Sequence, residues 1–302
     1  MISTDLVQPK NLVCQWEGFS IRYQTAGTKG IPMVLIHGFG SSCEHWRKNI
    51  TVLAQTNRVY ALDLIGFGQS AKPEPDKQIT YNFETWGHQV STFVREVVGE
   101  PAFLVGNSIG GVVALQAAVN TPDLSLGTIL LNCALRQIHD RKVATQPLPR
   151  RLGRPLLKKL LKNKALVRWL FAKIARPGAI RNFLQQAYGN KDAVTEELVE
   201  ILLQPARDPG AADVFWAFIN NFTGPLPEDL LPQLSCPALI LWGTADRWEP
   251  IALGRQLREF PAVKEFIALE GVGHCPQDEV PEQVNPLLQD WVARYASITP
   301  TS

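Results

Sequence analysis

A serine that lies between glycines is the first residue of this sequence whose context predicts chemistry. The segment Gly106-Asn107-Ser108-Ile109-Gly110 fits the pattern G-x-S-x-G, with an apolar run before it at 102–105 and a helix-forming run after it at 112–120. This context is typical of a sharp strand-to-helix turn, in which small residues let the two backbones approach each other. The positive end of the helix dipole also favours negative charge there. The pattern predicts Ser108 as a nucleophile; an N-capping serine in a glycine-rich turn is the alternative.

A serine hydroxyl needs a base at neutral pH, and the five histidines of the sequence are the candidates. His274 lies on a glycine-rich loop just after a predicted strand near the C-terminus. His37 precedes a glycine at a strand end, where we expect it to brace the loop. The remaining three lie in or near predicted helical segments (His45, His88 and His139). By elimination, His274 is the predicted base.

Such a histidine needs an acid that orients it. Asp246 follows the apolar run 238–242, in the segment Gly243-Thr244-Ala245-Asp246-Arg247-Trp248. Because parallel strands end at the same edge of a sheet, Asp246 is expected close to Ser108 and His274. The chain order of nucleophile, acid and base also suits a sheet of this kind. We therefore predict a triad of Ser108, His274 and Asp246; for Asp246 alone, a turn-capping aspartate is the alternative.

A pair of backbone donors for an oxyanion is predicted beside these side chains. The segment His37-Gly38-Phe39-Gly40 follows the apolar run 33–36. Glycines keep such a turn open, and a backbone N–H rather than a side chain supplies the hydrogen bond. We assign the oxyanion donors to the N–H groups of Phe39 and Ile109; a plain strand-to-helix turn is the alternative.

The elements that must position these residues alternate along the chain. Short apolar runs predict strands, and the longer stretches between them predict helices. Alternating strands and helices imply parallel crossovers and a sheet that is covered on both faces. The predicted strands are a hairpin over 12–26 with its turn at Glu17-Gly18, then 33–37, 58–64, 102–106, 128–132, 238–242 and 265–269; the predicted helices are 44–55, 82–98, 109–120, 251–259 and 281–295.

The alternation is interrupted between residues 135 and 225, where no strand-like run occurs. So long a segment is not a loop. We predict a core formed by residues 1–134 and 226–302, and a helical lid formed by residues 135–225. Within this lid, residues 155–176 are expected to form one amphipathic helix, with Pro155 in its first turn and Pro177 just beyond its end.

Positive charge is concentrated in the lid. The formal net charge of the chain is +2, but residues 136–181 hold fourteen Lys or Arg against one acid, so sixteen basic and twenty-seven acidic residues remain elsewhere. One interpretation is a lid helix that packs its apolar face over a pocket and leaves a solvated basic rim. The other is an element that binds an anionic membrane, with Trp169 and Phe171 as anchors. The two are compatible, and no motif that reads nucleic acid accompanies the charge.

Composition sets the limits of these predictions. The chain has 302 residues, of which 45% are hydrophobic and 19% are charged, which excludes disorder, collagen and coiled coil. Its five scattered cysteines lack CxxC spacing and argue against a disulfide framework or a zinc site, and for a reducing compartment. Residues 1–10 lack the apolar core of a signal peptide, and no uncharged apolar stretch is long enough to span a membrane.

These motifs resemble those of α/β-hydrolase-fold serine hydrolases over nearly the whole chain. The histidine loop Val272-Gly273-His274-Cys275-Pro276-Gln277-Asp278-Glu279-Val280-Pro281 is similar to that of pheophytinases and chlorophyll dephytylases. The Gly-Asn-Ser-Ile-Gly-Gly elbow, the Asp246-Arg247-Trp248 turn and the segment 224–231 match that group too. The lid matches it only in general character, and the lid is where substrate choice is made.

The resemblance implies an α/β-hydrolase fold, with a mostly parallel twisted sheet, helices on both faces and a helical lid insertion. It implies an acyl-enzyme mechanism without metal or other cofactor, acting on a hydrophobic ester, most closely the phytyl ester of chlorophyll or pheophytin. The protein is expected on the cytoplasmic or stromal side, where it is either soluble or peripherally bound to a membrane. It is not expected to be secreted. Asn107 and Trp248 are the candidate substrate contacts, although Trp248 could equally pack in the core or at the rim. Asp278 and Glu279 are expected only to begin the last helix.

Two other functions stay open. The elbow is also similar to that of carbon–carbon bond hydrolases of ring-cleavage products, which keep Ser, Asp and His. Dehalogenases and epoxide hydrolases of this fold use Asp as the nucleophile, and Ser108 tells against both. A catalytically silent ligand-binding protein is the non-enzymatic alternative, which the intact triad and oxyanion donors weaken.

Overall fold

The computed structural model describes residues 8–146 and 148–296, and the strands of this part form one sheet. They are β1 Lys10–Trp16, β2 Phe19–Ala26, β3 Pro32–Ile36, β4 Arg58–Leu62, β5 Ala102–Asn107, β6 Ser125–Leu131, β7 Ala238–Gly243 and β8 Val263–Leu269. Their order is β1-β2-β4-β3-β5-β6-β7-β8. β2 pairs antiparallel with β1 and β4, and the remaining neighbours are parallel. The mostly parallel sheet confirms the predicted fold class.

Helices cover both faces of this sheet. They are α1 Ile50–Leu53, α2 Phe83–Phe93, α3 Ile109–Asn120, α4 Leu148–Leu161, α5 Lys164–Ile174, α6 Pro177–Ala187, α7 Glu196–Ala206, α8 Ala211–Ile219, α9 Pro227–Leu230, α10 Ile251–Gly254, α11 Pro276–Glu279 and α12 Pro281–Ala296. One π-helical turn, Val94–Val98, follows α2. Short 3₁₀ segments lie at Cys43–Trp46, Pro122–Leu124, Asp140–Thr145, Lys191–Ala193, Leu231–Gln233 and Arg255–Glu259.

The central strands are apolar on both sides because each face of the sheet has its own core. In β3, Val34 and Ile36 belong to the core that contains residues of α2 and α3. Met33 and Leu35 belong to the core that contains residues of α1 and α12. This alternation is the two-residue period of a strand that is buried on both faces. It explains why the sequence shows uninterrupted apolar runs there.

Of two local predictions, the N-terminal hairpin is confirmed and the helix that follows β3 is not. The N-terminal hairpin forms with its turn at Glu17 and Gly18, whose φ angles are 51° and 80°. The helix predicted over 44–55 is instead a 3₁₀ turn followed by the four residues of α1. The run Ile50-Thr51-Val52 in α1 is β-branched, and β-branched side chains lose rotamer freedom in a helix.

The prediction of a single helix over residues 155–176 is wrong. α4 begins at Leu148, so Pro155 lies inside it, and the chain leaves the helix after Leu161. Asn163 then caps α5, since its side chain accepts a hydrogen bond from the N–H of Leu166 at 3.1 Å. Asparagine is a strong N-cap residue, and this signal divides the segment into two helices. Pro177 begins α6, after α5 has ended at Ile174.

The described residues from 132 to 237 contain helices and no strand, and α6 and α7 share a small apolar core of their own. Pro147 lies outside the described residues. So do residues 1–7, which belong to the segment 1–10 that is predicted to lack the apolar core of a signal peptide. Across the two described ranges, no helix is both long and apolar enough to cross a membrane. All five cysteines lie in the described part, and each is a free thiol.

Candidate active site

Ser108 stands in a strained turn between β5 and α3. Its φ is 56° and its ψ is −121°, a conformation that costs an L-residue about 1–3 kcal/mol and persists only where the surroundings fix it. A Cβ on Gly106 would lie 2.1 Å from the carbonyl oxygen of Gly110, and a Cβ on Gly110 would lie 2.4 Å from that of Ile36. Close backbone contact therefore requires both glycines, and it holds Ser108 partly exposed at the turn.

A chain of hydrogen bonds joins Ser108, His274 and Asp246. His274 Nε2 lies 2.9 Å from Ser108 Oγ, and His274 Nδ1 lies 2.7 Å from Asp246 Oδ2. Because a carboxylate accepts, the ring proton sits on Nδ1, which leaves Nε2 free to accept the serine proton. The structure thus brings together the three residues that the sequence predicted, in an arrangement that can activate a hydroxyl.

Asp246 is surrounded by donors that keep it ionised. Asn132 Nδ2 donates to Oδ2 at 2.7 Å, and the N–H groups of Trp248 and Glu249 donate to Oδ1 at 2.8 and 3.1 Å. Burial opposes ionisation, but the bonds from His274, the Glu249 N–H and Asn132 outweigh burial, so the pKa of Asp246 lies below its ordinary value. The group can therefore orient His274 and stabilise its protonated form.

Asn132 is a functional residue that sequence reasoning missed. It follows β6, buried, with a left-handed φ of 43°. Its amide oxygen accepts from the Gly243 N–H at 3.0 Å, while its amide nitrogen donates to Asp246. The residue therefore fixes the acid relative to the neighbouring strand ends. A polar residue at the end of an apolar strand was the available signal, because a buried amide must find partners.

Glu249 places a second carboxyl beside the acid. Its Oε2 is buried and has no hydrogen-bond partner among the described residues. Burial, and then repulsion from Asp246, raise the pKa of Glu249 to about 8. The carboxyl therefore keeps its proton near neutral pH, where in an unfolded chain it would be ionised.

Glu249→Gln is expected to flatten the pH dependence of stability. The pKa of Glu249 in the folded protein, about 8, lies above the ordinary glutamate value. At pH values between these two pKa values, the folded protein therefore binds more protons than the unfolded chain does. The contribution of Glu249 to stability is therefore full below the unfolded pKa and is lost as pH rises to about 8. Relative to wild type, the variant should gain about 1–3 kcal/mol in free energy of unfolding from pH 5 to pH 9. Urea unfolding at both pH values measures this difference in free energy of unfolding, and the variant Glu282→Gln, at an exposed position, is the control. Parallel pH profiles of stability for the wild type and Glu249→Gln would contradict the prediction.

The loop that holds Phe39 packs against the serine turn. A Cβ on Gly38 would lie 3.3 Å from the Cβ of Ser108. Among the described residues, neither the Phe39 N–H nor the Ile109 N–H has a hydrogen-bond partner. Both groups are thus free to donate a hydrogen bond, and their role as oxyanion donors stays a prediction. The Phe39 ring stacks on Phe218 of α8 with centroids 4.0 Å apart, which places this loop beneath the lid.

His37 braces that loop from inside the protein. Its Nε2 accepts from the N–H of Leu64 at 3.1 Å, and its Nδ1 lies 2.7 Å from the carbonyl oxygen of Gly38. Burial lowers its pKa, which favours the neutral ring that these two bonds require. The expected bracing role of His37 is confirmed.

The two candidate substrate contacts both lie against His274. The Asn107 amide donates to the carbonyl oxygens of Leu131 and His274 at 3.1 and 3.0 Å, and the residue is buried. Asn107 therefore ties the histidine loop to the serine turn, and a contact between Asn107 and the substrate stays a prediction. The Trp248 ring lies 4.9 Å from the His274 ring and 4.3 Å from that of Phe183. It fills the space between the base and the lid.

An apolar cavity of about 570 Å³ begins at the oxyanion loop and extends beneath the lid. This volume lies in the range of small-molecule sites. Its wall is mainly apolar, with Lys72, Asn182 and Gln186 among its few polar members. Apolar side chains from the oxyanion loop (His37 to Gly40), from the segment after β4 and from α5 to α8 form most of the rest, including Phe39, Phe67, Phe171, Ile180, Phe183, Leu202, Val214 and Phe215.

Asp278 and Glu279 do more than begin a helix. They end the short helix α11, and both are buried. Asp278 pairs with Arg47 at 2.7 Å and accepts a hydrogen bond from the Tyr188 hydroxyl at 2.9 Å. Glu279 accepts from three backbone N–H groups, those of Gly189, Asn190 and Gly273. The expectation that they only begin the last helix is wrong, because they attach the end of α6 to the histidine loop.

No group of three or more His, Cys, Asp or Glu within 8–146 and 148–296 is arranged to hold a metal ion.

Comparison with known proteins identifies the family. Residues 33–287 match the alpha/beta hydrolase family. The chain is similar to chloroplastic pheophytinase of Arabidopsis thaliana, with 27% identity over 322 residues, 94% of this chain and 66% of that protein. It is also similar to 2-hydroxymuconate semialdehyde hydrolase of Pseudomonas sp. strain CF600, with 36% identity over 108 residues, 35% of this chain and 37% of that protein.

Solved structures agree on the fold. The Cif epoxide hydrolase from Acinetobacter nosocomialis superposes with a TM-score of 0.76 at 21% identity, covering 94% of this chain and 89% of that chain. At this identity the likeness concerns the fold alone. The match over residues 33–287 spans most of the sequence, and the chain belongs to the alpha/beta hydrolase family.

Proposed function

We propose that this hydrolase cleaves a carboxylic ester of a long apolar alcohol, most closely the phytyl ester of chlorophyll or pheophytin. The observation that carries the proposal is the chain of hydrogen bonds from Asp246 through His274 to Ser108, beside an apolar cavity of about 570 Å³. The similarity to pheophytinase supports the choice of ester, and the chain spans 66% of that protein.

Each residue of the site has a defined step in this mechanism. Ser108 Oγ attacks the ester carbonyl carbon while His274 Nε2 takes its proton. The N–H groups of Phe39 and Ile109 stabilise the negative oxygen of the tetrahedral intermediate. His274 then gives its proton to the departing alcohol oxygen, which leaves an acyl group on Ser108. Water attacks this ester after losing a proton to His274, and the carboxylic acid departs as Ser108 recovers its proton.

The cavity is the proposed site of the alcohol chain. Phe39, Gly40 and Ser41 form one end of its lining. Because the loop that holds them packs against the turn of Ser108, a chain held in the cavity would have its ester end toward Ser108. Burial of an apolar chain is favourable in proportion to the area removed from water. The polar part of the substrate would remain at the mouth of the cavity.

Ala179→Trp is expected to select against long esters. Ala179 lines the cavity, so an indole there would exclude part of a long chain, and kcat/KM for phytyl esters should fall about 10- to 100-fold. Hydrolysis of a short ester such as p-nitrophenyl acetate should change by less than about threefold. The matched control is Ala172→Trp, on the exposed side of α5. Equal losses on both esters would contradict an alkyl site in this cavity.

A carbon–carbon bond hydrolase is the second candidate, favoured by the similarity to 2-hydroxymuconate semialdehyde hydrolase. Two kinds of assay of the purified protein separate these candidate functions. One uses chlorophyll, pheophytin and other isoprenoid esters, and the other uses a vinylogous diketone. Turnover of the diketone with no turnover of any long ester would overturn the proposed function.

A further inference from the structure

The outer face of α4 is apolar, the reverse of an ordinary surface helix. Leu148, Leu152, Leu156 and Leu160 recur every four residues and are 47% to 73% exposed. At 100° per residue, they stand opposite Arg154 and Lys158. A soluble helix normally turns its leucines inward, so this face predicts a partner.

Basic residues hold α4 to the protein from its other side. Arg154 and Lys158 both pair with Asp140 at 2.6 Å, and both lie over the ring of Phe222, at 5.0 and 4.6 Å from its centroid. The helix is therefore attached by charge and cation–π contacts, and rotation that would bury its leucines would break these contacts. Of the two interpretations of the lid, packing over the pocket describes α5, whose Val167 is buried and whose Phe171 lines the cavity. It does not describe α4.

The charged residues near these leucines are basic, and the sequence around them lacks acidic residues. No Asp or Glu occurs from Arg141 through Lys191. Several basic residues of the lid form ion pairs with acidic residues outside this stretch, and one of these pairs is Arg168 with Asp213. Arg151 and Lys159 on α4 and Lys162 just after it, however, make no ion pair among the described residues, and they flank the leucine row.

The cavity opens close to further exposed apolar side chains. Ile174 of α5 and Phe183 of α6 both line the cavity, yet they are 45% and 48% exposed. α4 packs against α5, and α5 against α6. An apolar surface outside the protein is thus connected with an apolar cavity inside it through neighbouring helices.

We propose that the leucine row of α4 docks on an anionic lipid bilayer. The leucines enter the interface between headgroups and acyl chains, while Arg151, Lys159 and Lys162 meet lipid phosphates. A second copy of the chain fits this face less well than a bilayer does. A twofold symmetric contact would bring the basic residues of the two copies together, with no acidic residue between them. This inference goes beyond the proposed function, because it concerns a surface apart from the triad.

Vesicle sedimentation of the full chain tests the proposal. The wild type should sediment with phosphatidylglycerol vesicles and much less with phosphatidylcholine vesicles, and added salt should release it. Leu152→Asp/Leu156→Asp and Lys159→Glu/Lys162→Glu should each weaken binding about tenfold or more. The matched controls are Leu12→Asp/Val13→Asp, at exposed apolar positions of β1, and Lys264→Glu; both should bind as the wild type does.

Two readouts separate docking from other causes. The α4 variants should hydrolyse a short soluble ester as the wild type does, which shows that they are folded. Equal sedimentation with neutral and anionic vesicles would overturn the proposal, as would unchanged binding of Leu152→Asp/Leu156→Asp. A wild-type dimer in light scattering that the leucine variant converts to a monomer would identify a second copy as the occupant and also overturn it.

Discussion

Ser108→Ala is expected to lower kcat/KM for the ester substrate about 10⁴- to 10⁶-fold. The hydroxyl forms the covalent bond of the acyl-enzyme, and no other described hydroxyl is within hydrogen-bond distance of His274 Nε2. Substrate binding should be nearly unchanged, because the methyl group leaves the cavity intact. Steady-state kinetics on the best ester measure the first effect, and calorimetric titration of the inactive variant with that ester measures the second. Labelling by a fluorophosphonate should be lost in the variant.

The matched control for this variant is Ser41→Ala. Ser41 lines the cavity beside the oxyanion loop, and its buried hydroxyl has no hydrogen-bond partner among the described residues. Its loss should change kcat/KM by less than about tenfold. A fluorophosphonate adduct on a residue other than Ser108 would contradict the assignment of the nucleophile. A wild type that neither reacts with the reagent nor hydrolyses any ester would instead indicate a silent binding protein.

The sequence was sufficient for the parts of the site that follow from local motifs. Ser108, Asp246 and His274 each come after an apolar strand, and parallel strands bring their ends to one edge. The glycines of the serine turn also have a local cause, since Gly106 and Gly110 are needed where strand, helix and neighbouring loop touch. These features could be predicted because each depends on a few consecutive residues and on the topology.

The residues that support the triad could not be predicted in the same way. Asn132 contacts Asp246 across 114 positions of sequence, and Glu279 contacts Asn190 across 89. Their partners are set by tertiary packing. The place of Asn132 at the end of an apolar strand indicates that its amide needs partners, but the local pattern does not identify those partners. The same limit applies to Asn107, which sits in the motif but donates its amide hydrogens to the carbonyl oxygens of Leu131 and His274.

The lid shows how a correct pattern can give a wrong structure. Its apolar and basic residues alternate with a helical period, which predicted one amphipathic helix and left open whether its apolar face packs over the pocket or binds a membrane. Asn163 interrupts that helix, and Asp140 with Phe222 attracts the basic face of α4. Hydrophobic periodicity identifies the faces of a helix, whereas the direction in which they point depends on partners that are distant in sequence.

Asp246→Asn is expected to lower kcat about 10⁴-fold. The carboxylate accepts from Trp248 and Glu249 N–H groups at Oδ1, so the amide nitrogen of asparagine would avoid that position. It would take the place of Oδ2 and face His274 Nδ1 as a donor. The imidazole would then carry its proton on Nε2 and could no longer accept one from Ser108. Asn132 cannot relieve this by rotating its amide, because its oxygen is held by Gly243.

Kinetics and the state of the imidazole together measure this effect. The fall should appear in kcat with little change in KM, and nitrogen NMR of His274 should show the proton moved from Nδ1 to Nε2. Asp63→Asn is the matched control, since Asp63 is also buried and accepts from backbone N–H groups, those of Cys43 and Gln69. That variant should lose stability while its kcat stays within about tenfold of the wild type. If Asp246→Asn and Asp63→Asn lowered kcat alike, the loss would come from folding, and Asp246 would not be the residue that orients the base.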